Sequence, residues 1–202
     1  MFVVAFVFFI RHAGQKRKGP VDTPYVNHPL MVAALLADCG VDDAEILAGA
    51  ILHDTLEDTS ATEADLESRF GARVTAIVKQ VTDDRTLCPS ARKRAQIEHG
   101  PHLTPEARLV KLADKICNIR DSINGGGPWN PERVQGYCVW GRRVCEGVHG
   151  VNATLDALAD DLWDKTFVSA TDGKTYPIIP KDVDLDAFLE QYYKNADGGG
   201  KK

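Results

Sequence analysis

Apolar residues recur at helical spacing from Val3 to about Leu162, and no stretch there alternates apolar with polar residues over a useful length. That pattern confines the chain to an all-α architecture. Gly and Pro loops at Gly19-Pro20, Cys88-Pro89-Ser90, Gly100-Pro101 and Gly125-Gly126-Gly127-Pro128 cut the pattern into segments. The expected helices are Val3 to Lys16, Pro29 to Cys39, Asp43 to Asp54, Thr62 to Phe70, Ala72 to Val81, Arg92 to Glu98, Pro105 to Ile123, Pro131 to His149 and Val151 to Lys165. Three of them start on Pro behind a capping residue: Asn27 or His28 before Pro29, Thr104 before Pro105, and Asn130 before Pro131.

A chain of 202 residues, 44% hydrophobic, suits one domain with a real core and a small appendage. Residues 1–165 read as that domain. From Phe167 to Pro180 the character changes, with Thr171 to Lys174 as a turn and Tyr176 to Pro180 as extended chain, followed by an amphipathic helix from Asp184 to Tyr193. Residues 166–194 are thus a C-terminal extension. Residues 195–202, rich in Gly, are expected to lack fixed structure.

A net charge of -5 argues against non-specific nucleic-acid binding, although short basic runs can still hold small-molecule phosphates. The five cysteines are odd in number and never spaced as Cys-x-x-Cys, so a disulfide framework and a structural zinc site are both disfavoured and a reducing cytoplasm fits. The apolar start, Met1 to Ile10, has no preceding Lys or Arg and no cleavage site after it, and falls short of the ~20 residues that span a bilayer. It reads as the buried start of the first helix, with no membrane partner.

The apolar segment Ile46 to Leu52 ends in His53-Asp54-Thr55-Leu56-Glu57-Asp58-Thr59. If one helix continues through it at ~100° per residue, His53 stacks on Glu57 and Asp54 on Asp58, and the four polar tips share a side. Burying such charges costs several kcal/mol each unless they are paired or bind a cation. A divalent metal resolves the conflict, and the plain alternative is a helix end with His53 on carbonyls and Asp54 in solvent. Together with His28 and Asp114, His53 and Asp54 make a set of imidazoles and carboxylates suited to Mn²⁺, Fe²⁺ or Zn²⁺. Around Asp114, Leu112, Ile116, Ile119 and Ile123 form an apolar stripe, while Lys111, Asp114, Asn118 and Asp121 recur on another face that is either a solvated surface or a site.

In order along the chain stand Arg11 to Lys18, Tyr25-Val26-Asn27-His28-Pro29, His53 to Thr59, Phe70-Gly71, Val81-Thr82-Asp83-Asp84 and Lys111-Leu112-Ala113-Asp114-Lys115. This set resembles the HD hydrolase domain of RelA/SpoT-type alarmone enzymes, and more narrowly the stand-alone small alarmone hydrolases, over about Val7 to Asn152. The resemblance implies an all-helical HD bundle that removes the 3′-pyrophosphate of the alarmone (p)ppGpp with Mn²⁺. It implies His28, His53, Asp54 and Asp114 as metal ligands, and Glu57 and Asp58 as the pair that orients and activates water. It also implies Arg17, Lys18 and Arg133 near substrate phosphates, Tyr137 on the base side and Asn118 facing the nucleotide.

Each substrate contact has a plain alternative: Lys16 to Lys18 as a solvated helix end, Arg133 paired with Glu132 or Glu146, and Tyr137 as core. Relatives carry a basic residue where this chain has Cys88-Pro89-Ser90, which leaves Arg92 or Lys93 to substitute from one turn away. Rival functions are a phosphatase on another nucleotide phosphate, such as the 2′-phosphate of NADPH, and a silent nucleotide-binding module. The Glu57-Asp58 pair argues against the second, since binding alone needs no water-activating carboxylates.

Overall fold

The computed structural model describes residues 14–16, 23–125 and 129–198. The expected first helix lies almost wholly outside the described residues, as do Arg17 and Lys18. Ten α-helices occur among those described: α1 (Asn27–Asp38), α2 (Ala44–Leu52), α3 (Thr55–Asp58), α4 (Glu63–Phe70), α5 (Ala72–Val81), α6 (Pro89–His99), α7 (Pro105–Ile123), α8 (Pro131–Val148), α9 (Ala153–Asp160) and α10 (Leu185–Gly198). A two-stranded antiparallel hairpin, β1 (Thr166–Val168) and β2 (Thr175–Pro177), precedes α10, with Phe167 opposite Tyr176.

The axis of the bundle is α7. From Ala107 to Cys117 every residue but Arg108 is buried, because α1, α2, α5, α8 and α9 all pack against this helix. Leu112, Ile116 and Ile119 are fully buried, as the stripe requires. The polar residues on its other face are not solvated: Lys111, Asp114 and Lys115 are each at most 7% exposed. Asp43 caps α2 through Glu45 N at 2.9 Å, Thr62 and Asp65 form a capping box on α4, and Thr104 and Asn130 cap α7 and α8. Gly49 on α2 lets Ile77 of α5 approach so closely that an added Cβ would lie 2.8 Å from its Cγ2.

Several boundaries differ from the sequence reading. The helix expected over Asp43 to Asp54 stops at Leu52; Asp54 sits at φ -96°, ψ 0°, and a separate turn, α3, follows. The break has a local cause, since the His53 ring takes the Ala50 carbonyl at 2.8 Å and so competes with the helix. Asn27 lies inside α1 and provides no side-chain cap. Pro89 begins α6 at its first turn, three residues earlier than expected, because its fixed φ suits that position. The Val151 to Lys165 segment ends as helix at Asp160, where Asp160, Asp161 and Asp164 oppose the negative end of the dipole. The last helix runs past Asn195 to Gly198, held by Asp197 on Ser90 of α6. Among the described residues no helix is long and apolar enough to cross a membrane.

Candidate metal centre and substrate cleft

Three elements bring His28, His53 and Asp114 together. His28 lies in the first turn of α1, His53 just beyond α2, and Asp114 at the middle of α7. One ligand atom from each lies within 4.8 Å of the others. His28 Nε2 is 3.0 Å from Asp114 Oδ1, and His53 Nε2 is 3.6 Å from the same oxygen. Asp54, on the turn after His53, puts Oδ2 2.9 Å from His53 Nε2 and accepts the Tyr25 hydroxyl.

His53 shows how the chain shapes this point. Its Nδ1 meets the Ala50 carbonyl, so the ring proton belongs there and Nε2 is the lone-pair nitrogen facing inward. That Nε2 is buried and has no aligned hydrogen bond, although two carboxylates stand close by. His28 Nε2 does bond Asp114 Oδ1, but the inward nitrogen of His53 has no aligned partner, and two imidazoles and two carboxylates drawn together around it are a donor set that fits a divalent cation.

The electrostatics show how strongly this point attracts positive charge: burial would depress the His53 imidazole, but Asp54 and Asp114 outweigh it and hold the group up at about 10, so a cation here would take the place of a proton on Nε2. Burial would raise the Asp114 carboxyl, yet Lys115 first, with His28 and His53, keeps it well below the usual carboxylate range. Lys115 Nζ lies 3.1 Å from Asp114 Oδ2, and Asn118 donates to Oδ1 at 2.5 Å, so both orient the ligand carboxylate. For Lys111, burial and then Lys115 lower the ammonium's pKa; the group donates to the Val81 carbonyl at 2.9 Å.

Glu57 and Asp58 stand on α3 beside this point and line the same inner cavity, of about 190 Å³. Burial, then Asp83 and Asp54, push the Glu57 carboxyl up from its ordinary value. Its Oε2 accepts from Asp83 N at 3.3 Å, while Arg85 donates to the Glu57 carbonyl at 2.6 Å and to Asp58 Oδ1 at 3.0 Å. Tyr25, Glu57, Asp58 and Asn118 line both the inner cavity and an adjoining outer one of about 640 Å³, a size that suits a nucleotide. Its walls carry Lys16, Arg85 and Arg92 as cations and Trp129 and Tyr137 as aromatics.

The expected substrate residues divide. Tyr137 and Asn118 line the outer cavity. Arg133 instead lays its guanidinium 4.6 Å over the Trp129 ring, and Glu146 is taken by Arg142 and Arg143. Of the two substitutes for the missing loop cation, Arg92 lines the cavity, whereas Lys93 stacks 3.6 Å over Trp140. Tyr25, Arg85, Lys115 and Trp129 carry no role that the sequence alone reveals. Tyr25 and Lys115 stand inside the motifs Tyr25 to Pro29 and Lys111 to Lys115, and Arg85 directly follows Thr82-Asp83-Asp84, so their one signal in the sequence is a place in or beside a motif.

A family model described as HD domain matches residues 5–132. The chain belongs to the HD domain family. This HD-domain chain is 47% identical over 156 residues to the guanosine-3′,5′-bis(diphosphate) 3′-pyrophosphohydrolase MESH1 of Homo sapiens, covering 76% of this chain and 87% of that one. It is 46% identical over 156 residues to the enzyme of the same name from Danio rerio, covering 86% of that chain. A solved structure described as a metazoan ortholog of SpoT that hydrolyzes ppGpp superposes with a TM-score of 0.77 at 38% identity, over 79% of this chain and 91% of that one. The HD-domain chain is accordingly an enzyme of the metal-dependent phosphohydrolase kind.

Proposed function

We propose that this enzyme hydrolyses the 3′-pyrophosphate of (p)ppGpp, giving GDP or GTP and pyrophosphate, with Mn²⁺ at the centre formed by His28, His53, Asp54 and Asp114. The observation that carries the reading is the convergence of His28, His53 and Asp114, with Asp54 Oδ2 2.9 Å from His53 Nε2, on an inner cavity that Glu57 and Asp58 share with an outer, nucleotide-sized one. The relatives' names and the ppGpp-hydrolysing structural neighbour support the same substrate. A divalent cation bound there supplies Lewis acidity toward a phosphate oxygen and lowers the pKa of water.

The chain's own residues do the rest. Glu57, its carboxyl raised toward the working pH, accepts the proton of the attacking water, and Asp58 orients that water. Attack falls on the phosphorus bonded to the ribose 3′ oxygen; the P–O3′ bond breaks with its electron pair on O3′, which takes up a proton from solvent and leaves as a 3′ hydroxyl, while the water oxygen stays on the released pyrophosphate. Lys16, Arg85 and Arg92 face the phosphates, and the family resemblance adds Arg17 and Lys18, which lie outside the described residues. Trp129 and Tyr137 offer ring faces to the base, and Arg133 stiffens Trp129 by stacking on it. We assign residues 1–165 to the hydrolase unit and 166–194 to an extension of it, whose last helix continues to Gly198, and place the enzyme in the cytoplasm.

Ring faces accept any purine, so the rival nucleotide NADPH is the informative control. Side-by-side kcat/KM values for guanosine tetraphosphate and NADPH, each with Mn²⁺, Mg²⁺ and Zn²⁺, test the proposal. We expect the alarmone with Mn²⁺ to be preferred. Turnover of NADPH alone would overturn the substrate, and full activity with Mg²⁺ but none with Mn²⁺ would overturn the metal.

A further inference from the structure

Helix α6 borders the cleft, yet none of its residues is buried. It carries Arg92, which lines the outer cavity, and Gln96, which lines the inner one and donates to Asp83 Oδ2 at 2.6 Å. Much of the helix is half-buried, and Trp140 Nε1 of α8 donates to the Lys93 carbonyl at 2.9 Å, but a helix with no residue in the core depends on further restraints to hold cleft residues in place. Many of them come from α10, which lies beyond the residues matched by the HD domain model.

The first restraint is an N-cap supplied from a distance. Cys88, at the N-cap of α6, makes no side-chain cap, but Asp197 accepts from Ser90 N at 2.9 Å and from Ser90 Oγ at 2.5 Å. The second is a fork: Arg94 Nη1 and Nη2 donate to Glu190 Oε1 and Oε2 at 2.9 and 2.7 Å. Arg94 also stacks 4.2 Å over Tyr193, which belongs with Leu189, Trp140 and Val144 to a small second core. On the far side, Tyr192 lies on bare backbone of α8. A Cβ at Gly136 would stand 2.5 Å from Tyr192 Cδ2 and 2.9 Å from its Cβ, so a glycine within that helix is what admits α10.

We propose that α10 is a strut that holds α6, and through it Arg92 and Gln96, against the substrate cleft, with Glu190, Asp197 and Tyr192 as positioning residues. The inference rests on the reading of that cleft as the alarmone site. It is tested on the full chain by charge reversal of the fork: Arg94→Glu, Glu190→Arg and the double variant, with Asp197→Asn as an independent probe of the cap. Both side chains of the fork are partly exposed, so these changes reach the second core only through the face of Tyr193 on which Arg94 stacks, and Glu190→Arg leaves that face covered.

Each single variant should speed amide hydrogen exchange across Pro89–His99 and raise KM for guanosine tetraphosphate about threefold or more, with kcat within about twofold and bound metal unchanged. The double reversal should restore both readouts toward wild type. Unchanged exchange in α6, or faster exchange with KM unmoved, would overturn the strut. Were the wild type itself to leave the alarmone intact, the substrate reading would fall, and the strut would still be decided by α6 exchange.

Discussion

His53 is gripped at one nitrogen and open at the other. The Ala50 carbonyl fixes its tautomer, and Nε2 faces Asp54 and Asp114 without an aligned bond. His53→Ala should therefore abolish metal retention, measured by elemental analysis after gel filtration, and lower kcat by about a hundredfold or more. Glu57→Gln separates holding the ion from using it: metal content stays, while kcat falls by roughly 10² to 10⁴. Because burial and neighbouring carboxylates raise the Glu57 carboxyl, wild-type kcat should be full above that raised value and fall as pH drops through it. The acid limb should lie above the ordinary Glu value of about 4.3 and vanish in Glu57→Gln. An acid limb unchanged in the variant would assign the base to another group. The ligand residues were legible because imidazoles and carboxylates at the end of an apolar run are costly without a partner. Arg85 and Lys115 were not, because their roles depend on which turn or carboxylate the fold sets beside them.

At the scale of elements, α2 and α5 meet at Gly49, and their approach carries His53 to its place. Gly49→Val would drive a branched side chain into Ile77 and should cost about 1–3 kcal/mol in chemical denaturation. A loss of metal affinity should accompany it, whereas unchanged stability would mean the two helices can separate without harm. Periodicity located these helices well, since α4, α5, α7 and α8 follow apolar stripes with Thr, Asn, Pro or Gly at their starts. It misjudged the end of α2, where a histidine side chain competes for a backbone carbonyl. It also ran α9 too long, because an acidic cluster at a helix end is an electrostatic signal rather than a periodic one.

For the whole molecule, a net charge of -5 opposes a polyphosphate at long range while Lys16, Arg85 and Arg92 attract it inside the cleft. The Debye length is about 10 Å at 0.1 M salt, so added salt screens both. The cleft contacts are closer and geometrically fixed, and KM should rise with ionic strength; a fall would mean that net charge governs encounter. That the described chain up to Asp160 is a helical bundle was readable in its periodicity, but the cleft was not, since its walls come from α1, α3, α6, α7 and α8 at distant positions. The account stands most directly on the bond that is broken. Phosphorus NMR of guanosine tetraphosphate incubated with the Mn²⁺-loaded enzyme should show GDP and intact pyrophosphate, and neither with His53→Ala. Orthophosphate as the released product, or the same turnover from His53→Ala, would contradict it.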